Sequence, residues 1–84
     1  MEVRLSKAAE RSLLRSNKRK LIRAKIAELA ADPFAPNANV TRLQGQPEFR
    51  LRVQDWRVIF RVEGSVLWIE EIGPRGSIYR SQPR

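Results

Sequence analysis

Between residues 49 and 80 the chain carries arginine at positions 50, 52, 57, 61, 75 and 80, and its one tyrosine at position 79. A guanidinium is a planar fork of N–H donors that grips a phosphate through two parallel hydrogen bonds. Such a set can recognise phosphate groups and neutralise charge that builds up on them. It is poorly suited to moving protons, because arginine, with a pKa above about 12, neither accepts nor releases one near pH 7. Histidine and cysteine are both absent, which removes the commonest general base, the thiol nucleophile and the usual zinc ligands. Any chemistry must therefore use Arg, Lys, Tyr, Ser or a carboxylate, and no metal or other cofactor is expected.

The whole composition leans the same way. Seventeen Lys plus Arg stand against 9 Asp plus Glu, a formal net charge of +8, and 13 of the cations are arginine. Nucleic acid, an acidic protein or an anionic membrane are the partners this charge admits. Eighty-four residues, 42% of them hydrophobic, make one domain over residues 1–84 with a small core, and exclude multidomain machines and large barrels. The N-terminus lacks a long apolar segment and apolar runs elsewhere last only a few residues, so neither secretion nor membrane spanning is supported. A soluble, cytoplasmic protein is expected.

These residues need elements to position them. Alternation over residues 1–5 suits a short edge strand, and Ser6 is a natural N-cap for a helix from Lys7 to Ser16 that buries Ala8, Ala9, Leu13 and Leu14. Asn17 is a second N-cap candidate, opening a helix to about Ala31 with Leu21, Ile22, Ile26, Leu29 and Ala30 on one face. The result is a helical hairpin with a basic outer surface that includes Lys18 and Lys20. Two prolines and two asparagines between Asp32 and Asn39 end the helical half. From Phe49 the period becomes two, giving strands at 49–53, 56–62 and 66–72 with turns near Gln54-Asp55 and Glu63-Gly64. The expected fold class is α+β: a short N-terminal strand, a helical hairpin and then a three- to four-stranded antiparallel sheet.

A two-residue turn at Gln54-Asp55 pairs Val53 with Trp56, Arg52 with Arg57, Leu51 with Val58 and Phe49 with Phe60. Apolar residues then meet on one face, and Arg50, Arg52, Arg57 and Arg61 share the other. Like charges directly across a strand pair are unfavourable, so keeping Arg52 beside Arg57 is a sign of use. The glycines and proline of Gly73-Pro74-Arg75-Gly76 make a turn able to bring Arg75 and Tyr79 beside that face, although Tyr79 also suits a plain aromatic cover for the core. Trp56 fits the core. Glu70 would oppose Arg57 if the turn at Glu63-Gly64 has two residues.

Leu43-Gln44-Gly45, Phe49-Arg50-Leu51-Arg52, Asp55-Trp56-Arg57-Val58-Ile59-Phe60 and Ile72-Gly73-Pro74-Arg75-Gly76-Ser77-Ile78-Tyr79-Arg80 resemble the RelE/ParE superfamily of type II toxin-antitoxin toxins. The order of elements agrees, and the resemblance is specific in the β half. It implies a RelE-like mRNA interferase: a metal-independent endoribonuclease that enters the ribosome, promotes attack of a ribose 2′-hydroxyl on the adjacent phosphate and so inhibits translation. It further implies catalytic roles for Arg50, Arg52, Arg57, Arg75 and Tyr79. Arg57 would contact the scissile phosphate, and Tyr79 would stack on a base or serve as general base. Arg61, Arg80, Lys18 and Lys20 would bind RNA. This chain departs from the RelE pattern in having arginine at 50 and 52, where lysines are frequent. The implied partners are a cognate antitoxin, in a toxin-antitoxin complex, with the ribosome and mRNA, and no membrane. A ParE-like DNA gyrase inhibitor without a nuclease site, and a non-catalytic nucleic-acid-binding module, are the alternatives.

Overall fold

The period-two alternation after Phe49 builds the centre of the structure, a computed structural model that describes residues 1–76. Strands β3 (Phe49–Val53), β4 (Trp56–Glu63) and β5 (Val66–Pro74) form an antiparallel meander. Two edge strands widen it. The three-residue β2 (Val40–Arg42) pairs antiparallel with β3, and β1 (Glu2–Leu5) runs parallel to β5, giving the order β1-β5-β4-β3-β2. The sheet is thus five-stranded and mixed, one strand larger than alternation alone indicates, because β2 is too short to show a period.

Helices α1 (Lys7–Arg15) and α2 (Arg19–Ala31) cover one face of the sheet. Leu51, Val53, Val58, Phe60, Leu67, Ile69 and Ile72 enter the core from the sheet, and Ala9, Leu13, Ile22, Ile26, Leu29 and Ala30 enter from the helices. The Phe49 and Phe60 rings stack at 5.5 Å between centroids. Leu21 packs at the margin of this core. Ala8 and Leu14 do not enter it. On α1 the stripe facing β5 is the i, i+4 pair Ala9 and Leu13, which turns Ala8 to solvent and leaves Leu14 57% exposed.

The helix boundaries depart from expectation at one place. Ser16, rather than Asn17, organises the junction: it is buried, and its Oγ accepts the Lys18 N–H at 2.9 Å, so α2 starts at Arg19. Ser6 caps α1 as expected, its Oγ accepting the Ala9 N–H at 3.0 Å. The same hydroxyl donates to the Glu70 carbonyl at 2.7 Å, tying the start of α1 to the middle of β5.

That tie falls on a β-bulge. Ile59 faces Glu71 and Phe60 faces Ile69, so Glu70 is the extra residue. Because of it, Glu70 and Glu71 lie between two core residues, Ile69 and Ile72, without either glutamate entering the core. The β4–β5 turn is Gly64-Ser65, since Glu63 pairs with Val66. Glu70 therefore does not oppose Arg57, whose partner is Gly73. Ser6→Ala removes both the cap and the donor to the bulge and should cost about 1–3 kcal/mol. Urea denaturation should show that loss, with Ser6→Thr retaining most of the stability.

Candidate nucleic-acid interface

The face of the sheet opposite the helices carries the side chains that alternate with the core. Pairing sets them in three rows across the strands: Arg52, Arg57 and Gly73; Arg50, Ile59 and Glu71; Arg61, Trp68 and Arg4. Ile59 is buried on this side against Leu43, from the loop after β2, so a small apolar patch supports the middle row.

The first row lies at the tight turn. Gln54 there has φ 53°, the left-handed conformation that two-residue hairpin turns require at their first loop residue. Arg57 is drawn back over the turn, its Nη1 donating to the carbonyls of Gln54 at 3.1 Å and Trp56 at 3.2 Å. Its neighbour Gly73 adds no side chain to the row. Just past β5, the Arg75 N–H donates to the Asp55 carbonyl at 2.7 Å, which fixes the backbone of Arg75 against the same turn. Among the described residues Arg52, Arg57 and Arg75 make no ion pair. Arg52 and Arg57 thus stand side by side at one end of the sheet with the Arg75 backbone fixed next to them, and none of the three has a carboxylate partner among the described residues.

The third row differs. Arg61 Nε lies 2.5 Å from Glu70 Oε2 and its Nη1 lies 3.0 Å from Glu63 Oε1. Hydrogen bonds that Arg61 donates to Glu63 first and Glu70 second raise its pKa above the ordinary value. Arg61 and Arg4 also reach over the Trp68 ring from the strands on either side, with Cζ 5.5 and 5.7 Å from its centroid. Arg4 is paired in turn with Glu2 at 2.6 Å.

The structure brings together Arg50, Arg52, Arg57 and Arg75 on or beside one face, with Arg61 farther along the same face. Lys18 and Lys20 stand exposed at the start of α2, in the helix layer across the sheet from the arginines. Tyr79 and Arg80 lie outside the described residues. Trp56 packs against the core. Sequence reasoning missed Trp68 and the Glu63–Arg61–Glu70 arrangement. The available signal was Glu70-Glu71, two adjacent acids inside an apolar strand, which alternation cannot accommodate without a bulge. Among the described residues no His, Cys, Asp or Glu side chains assemble as a set of metal ligands, and no helix is long and apolar enough to cross a membrane.

A family model described as the ParE toxin of the type II toxin-antitoxin system, parDE, matches residues 3–79. The chain belongs to this toxin family. The ParE-type chain also shares its fold with RelE-type structures. It superposes on a chain of the RelE-RelB complex from Pyrococcus horikoshii OT3 with TM-score 0.76 and 25% identity, covering 90% of this chain and 96% of that one. For the RelB-RelE antitoxin-toxin complex from Methanococcus jannaschii the values are 0.75, 22%, 94% and 98%. For YafQ from E. coli strain BL21(DE3) they are 0.77, 15%, 93% and 97%. No curated protein matches the sequence. The protein is a RelE/ParE superfamily toxin of a toxin-antitoxin module with the RelE-like fold.

The Arg52–Arg57 pair gives a direct test of whether this toxin keeps an unfavourable contact for use. Arg52→Gln should stabilise the fold by about 0.2–1 kcal/mol by removing a like-charge cross-strand pair. The same change should weaken binding to a single-stranded oligonucleotide, as measured by fluorescence anisotropy beside denaturant unfolding.

Proposed function

We propose that this toxin is an mRNA endoribonuclease that acts on ribosome-bound messages and is held inactive by a cognate antitoxin. The observation that carries the proposal is the unpaired arginine group at the β3–β4 turn, Arg52 and Arg57 side by side with Arg75 anchored next to them. In such a reaction the 2′-hydroxyl oxygen forms a bond to the adjacent phosphorus while the bond to the 5′-oxygen breaks. The products are a 2′,3′-cyclic phosphate and a 5′-hydroxyl. The proton leaves the 2′-oxygen for a base and the departing 5′-oxygen takes up another. Charge on the phosphorane-like transition state exceeds that on the ground-state phosphodiester, so donors aimed at it accelerate the step.

Each residue contributes according to its chemistry. Arg57 is held by two carbonyls through Nη1, which leaves Nε and Nη2 to address the phosphate. Arg52 and Arg75 add charge from its two sides, and Arg50 stands one row further along. None of the four is suited to proton transfer, so Tyr79, the position the RelE resemblance supplies for it, is assigned the general base. Arg80, Lys18 and Lys20 are assigned to wider attraction for RNA.

The antitoxin assignment draws on the similar structures, several of which are RelB-RelE complexes and another a DinJ-YafQ toxin-antitoxin complex. A groove of about 380 Å³ between β1, α1 and α2, lined by Val3, Leu5, Leu13, Leu14 and Ile26 with Arg23 and Glu10 at its side, fits an amphipathic segment, and the net charge of +8 favours an acidic one. A second reading, inhibition of DNA gyrase without RNA cleavage, is favoured by the ParE description of the matching family and by the lack of lysine at 50 and 52.

Induced alone, the toxin should arrest growth and produce cuts in a translated reporter message but not in its untranslated counterpart, mapped by primer extension. Arg57→Ala and Tyr79→Phe should each lower cleavage by about 10²-fold or more while leaving the protein folded. Arrest with intact messages and trapped, cleaved DNA would instead establish the gyrase reading.

A further inference from the structure

The outward face of the sheet is electrically divided. At the turn end Arg52, Arg57 and Arg75 carry three positive charges without an ion pair among the described residues. In the row of Arg61, Trp68 and Arg4, two guanidinium groups meet three carboxylates, Glu2, Glu63 and Glu70, which outnumber them by one. Arg57 and Arg61 are four residues apart on β4, about 13 Å along the strand. That exceeds the Debye length of about 8 Å at physiological ionic strength, so the two ends act on a nearby charge almost independently.

Arg61 is also immobilised in a way Arg57 is not. Its Nε and Nη1 are each taken by a different carboxylate, and its plane lies over Trp68. Both carboxylates favour the charged guanidinium, so the group is fully ionised yet already satisfied. An incoming phosphate would find only Nη2 untaken and would meet the charge of two carboxylates as it approached. Trp68 is equally committed, because guanidinium groups from β1 and β4 approach its ring and leave it a poor platform for a base. The carboxylate at 70 owes its position to the bulge, which the Ser6 hydroxyl holds by its bond to the Glu70 carbonyl.

The geometry points to Glu70, with Glu63, as the specificity element that ends the phosphate track. By clamping Arg61 onto Trp68 the two carboxylates withhold its charge from RNA and confine the strand to the turn end of the sheet. Arg61, which alternation alone groups with the other arginines, belongs to the boundary and not to the track. This rests on the proposal that the arginine face holds RNA.

Binding of a 2′-O-methyl oligouridylate of about twelve nucleotides, which has no 2′-hydroxyl and cannot be cleaved by 2′-attack, reads the effect without activity. For single strands each neutralised phosphate contributes about 0.7 to the slope of log K against log salt. Arg61→Gln should leave the wild-type slope unchanged. Glu63→Gln/Glu70→Gln should bind tighter with a slope steeper by about 0.7, and adding Arg61→Gln to that pair should restore the original slope. Glu10→Gln/Glu28→Gln, on the helix layer, controls for the two-unit change in net charge. Should the double variant fold poorly, Glu63→Gln alone alters an exposed side chain and should still shift the slope in the same direction. A flatter slope for Arg61→Gln in the wild-type background, or no response to loss of the carboxylates, overturns the boundary while leaving the RNA face intact. Absence of oligonucleotide binding by the wild-type protein removes the RNA face itself, and the boundary with it.

Discussion

A two-residue turn at Gln54-Asp55 decides on which side of the sheet the arginines of β3 and β4 stand. With Val53 opposite Trp56, each later pair follows, and Leu51, Val58, Phe49 and Phe60 face the helices. A slip of one residue along β3 would exchange that strand's apolar set for Arg50 and Arg52 and drive guanidinium groups into the core. Burying an unpaired charge costs far more than any cross-strand repulsion, so the register is strongly determined even though it sets Arg52 against Arg57. Gln54 in the left-handed region is part of the same compromise, since the tight turn requires a conformation that glutamine adopts at some cost.

The bulge at Glu70 is the second device, and it works by a different rule. A regular β5 would have to send either Glu70 or Glu71 inward if Ile69 and Ile72 were both to remain in the core. One extra residue resolves the conflict, keeps both isoleucines buried and turns a carboxylate toward Arg61. The Ser6 hydroxyl links this irregularity to the helix layer, so the N-terminus of α1 and the charge pattern of the opposite face share one anchor.

Much of this was legible from the residues. Alternation gave the β3–β4 register pair by pair, Ser6 as a cap was recognisable, and i, i+4 spacing identified most of the helical core, since each depends only on local chemistry and period. What escaped depended on partners distant in sequence. Parallel pairing of β1 with β5 joins residues 2–5 to residues 66–69, and nothing in five alternating residues names that partner. The turn at Gly64-Ser65 shifted β5 by two residues and the bulge shifted its later pairs by one more, which took Glu70 away from Arg57 and left it beside Arg61. Asn17 does not cap α2, whose N-cap is Lys18 without a side-chain hydrogen bond; the junction is instead organised by the buried Ser16, which accepts the Lys18 N–H, a tertiary circumstance that cap preference alone does not register. For the site, the positions of the arginines were readable, but which of them were already paired was not. Pairing depends on side chains of β4 and β5 whose relative register the Gly64-Ser65 turn and the bulge set together.

The contrast between Arg57 and Arg61 shows why counting cations misjudges such a face. Both alternate outward on β4 and both are only partly exposed. Arg57 is oriented by neutral backbone carbonyls, which restrict its rotamers and leave its charge uncompensated, a combination that lowers the entropic cost of gripping an anion. Arg61 is oriented by carboxylates, which restrict it equally and cancel its field. The electrostatic difference between two arginines of the same strand therefore lies in the charge of what orients them. A site built from guanidinium groups alone can tune itself in no other way, because at neutral pH none of them can be switched off by losing a proton.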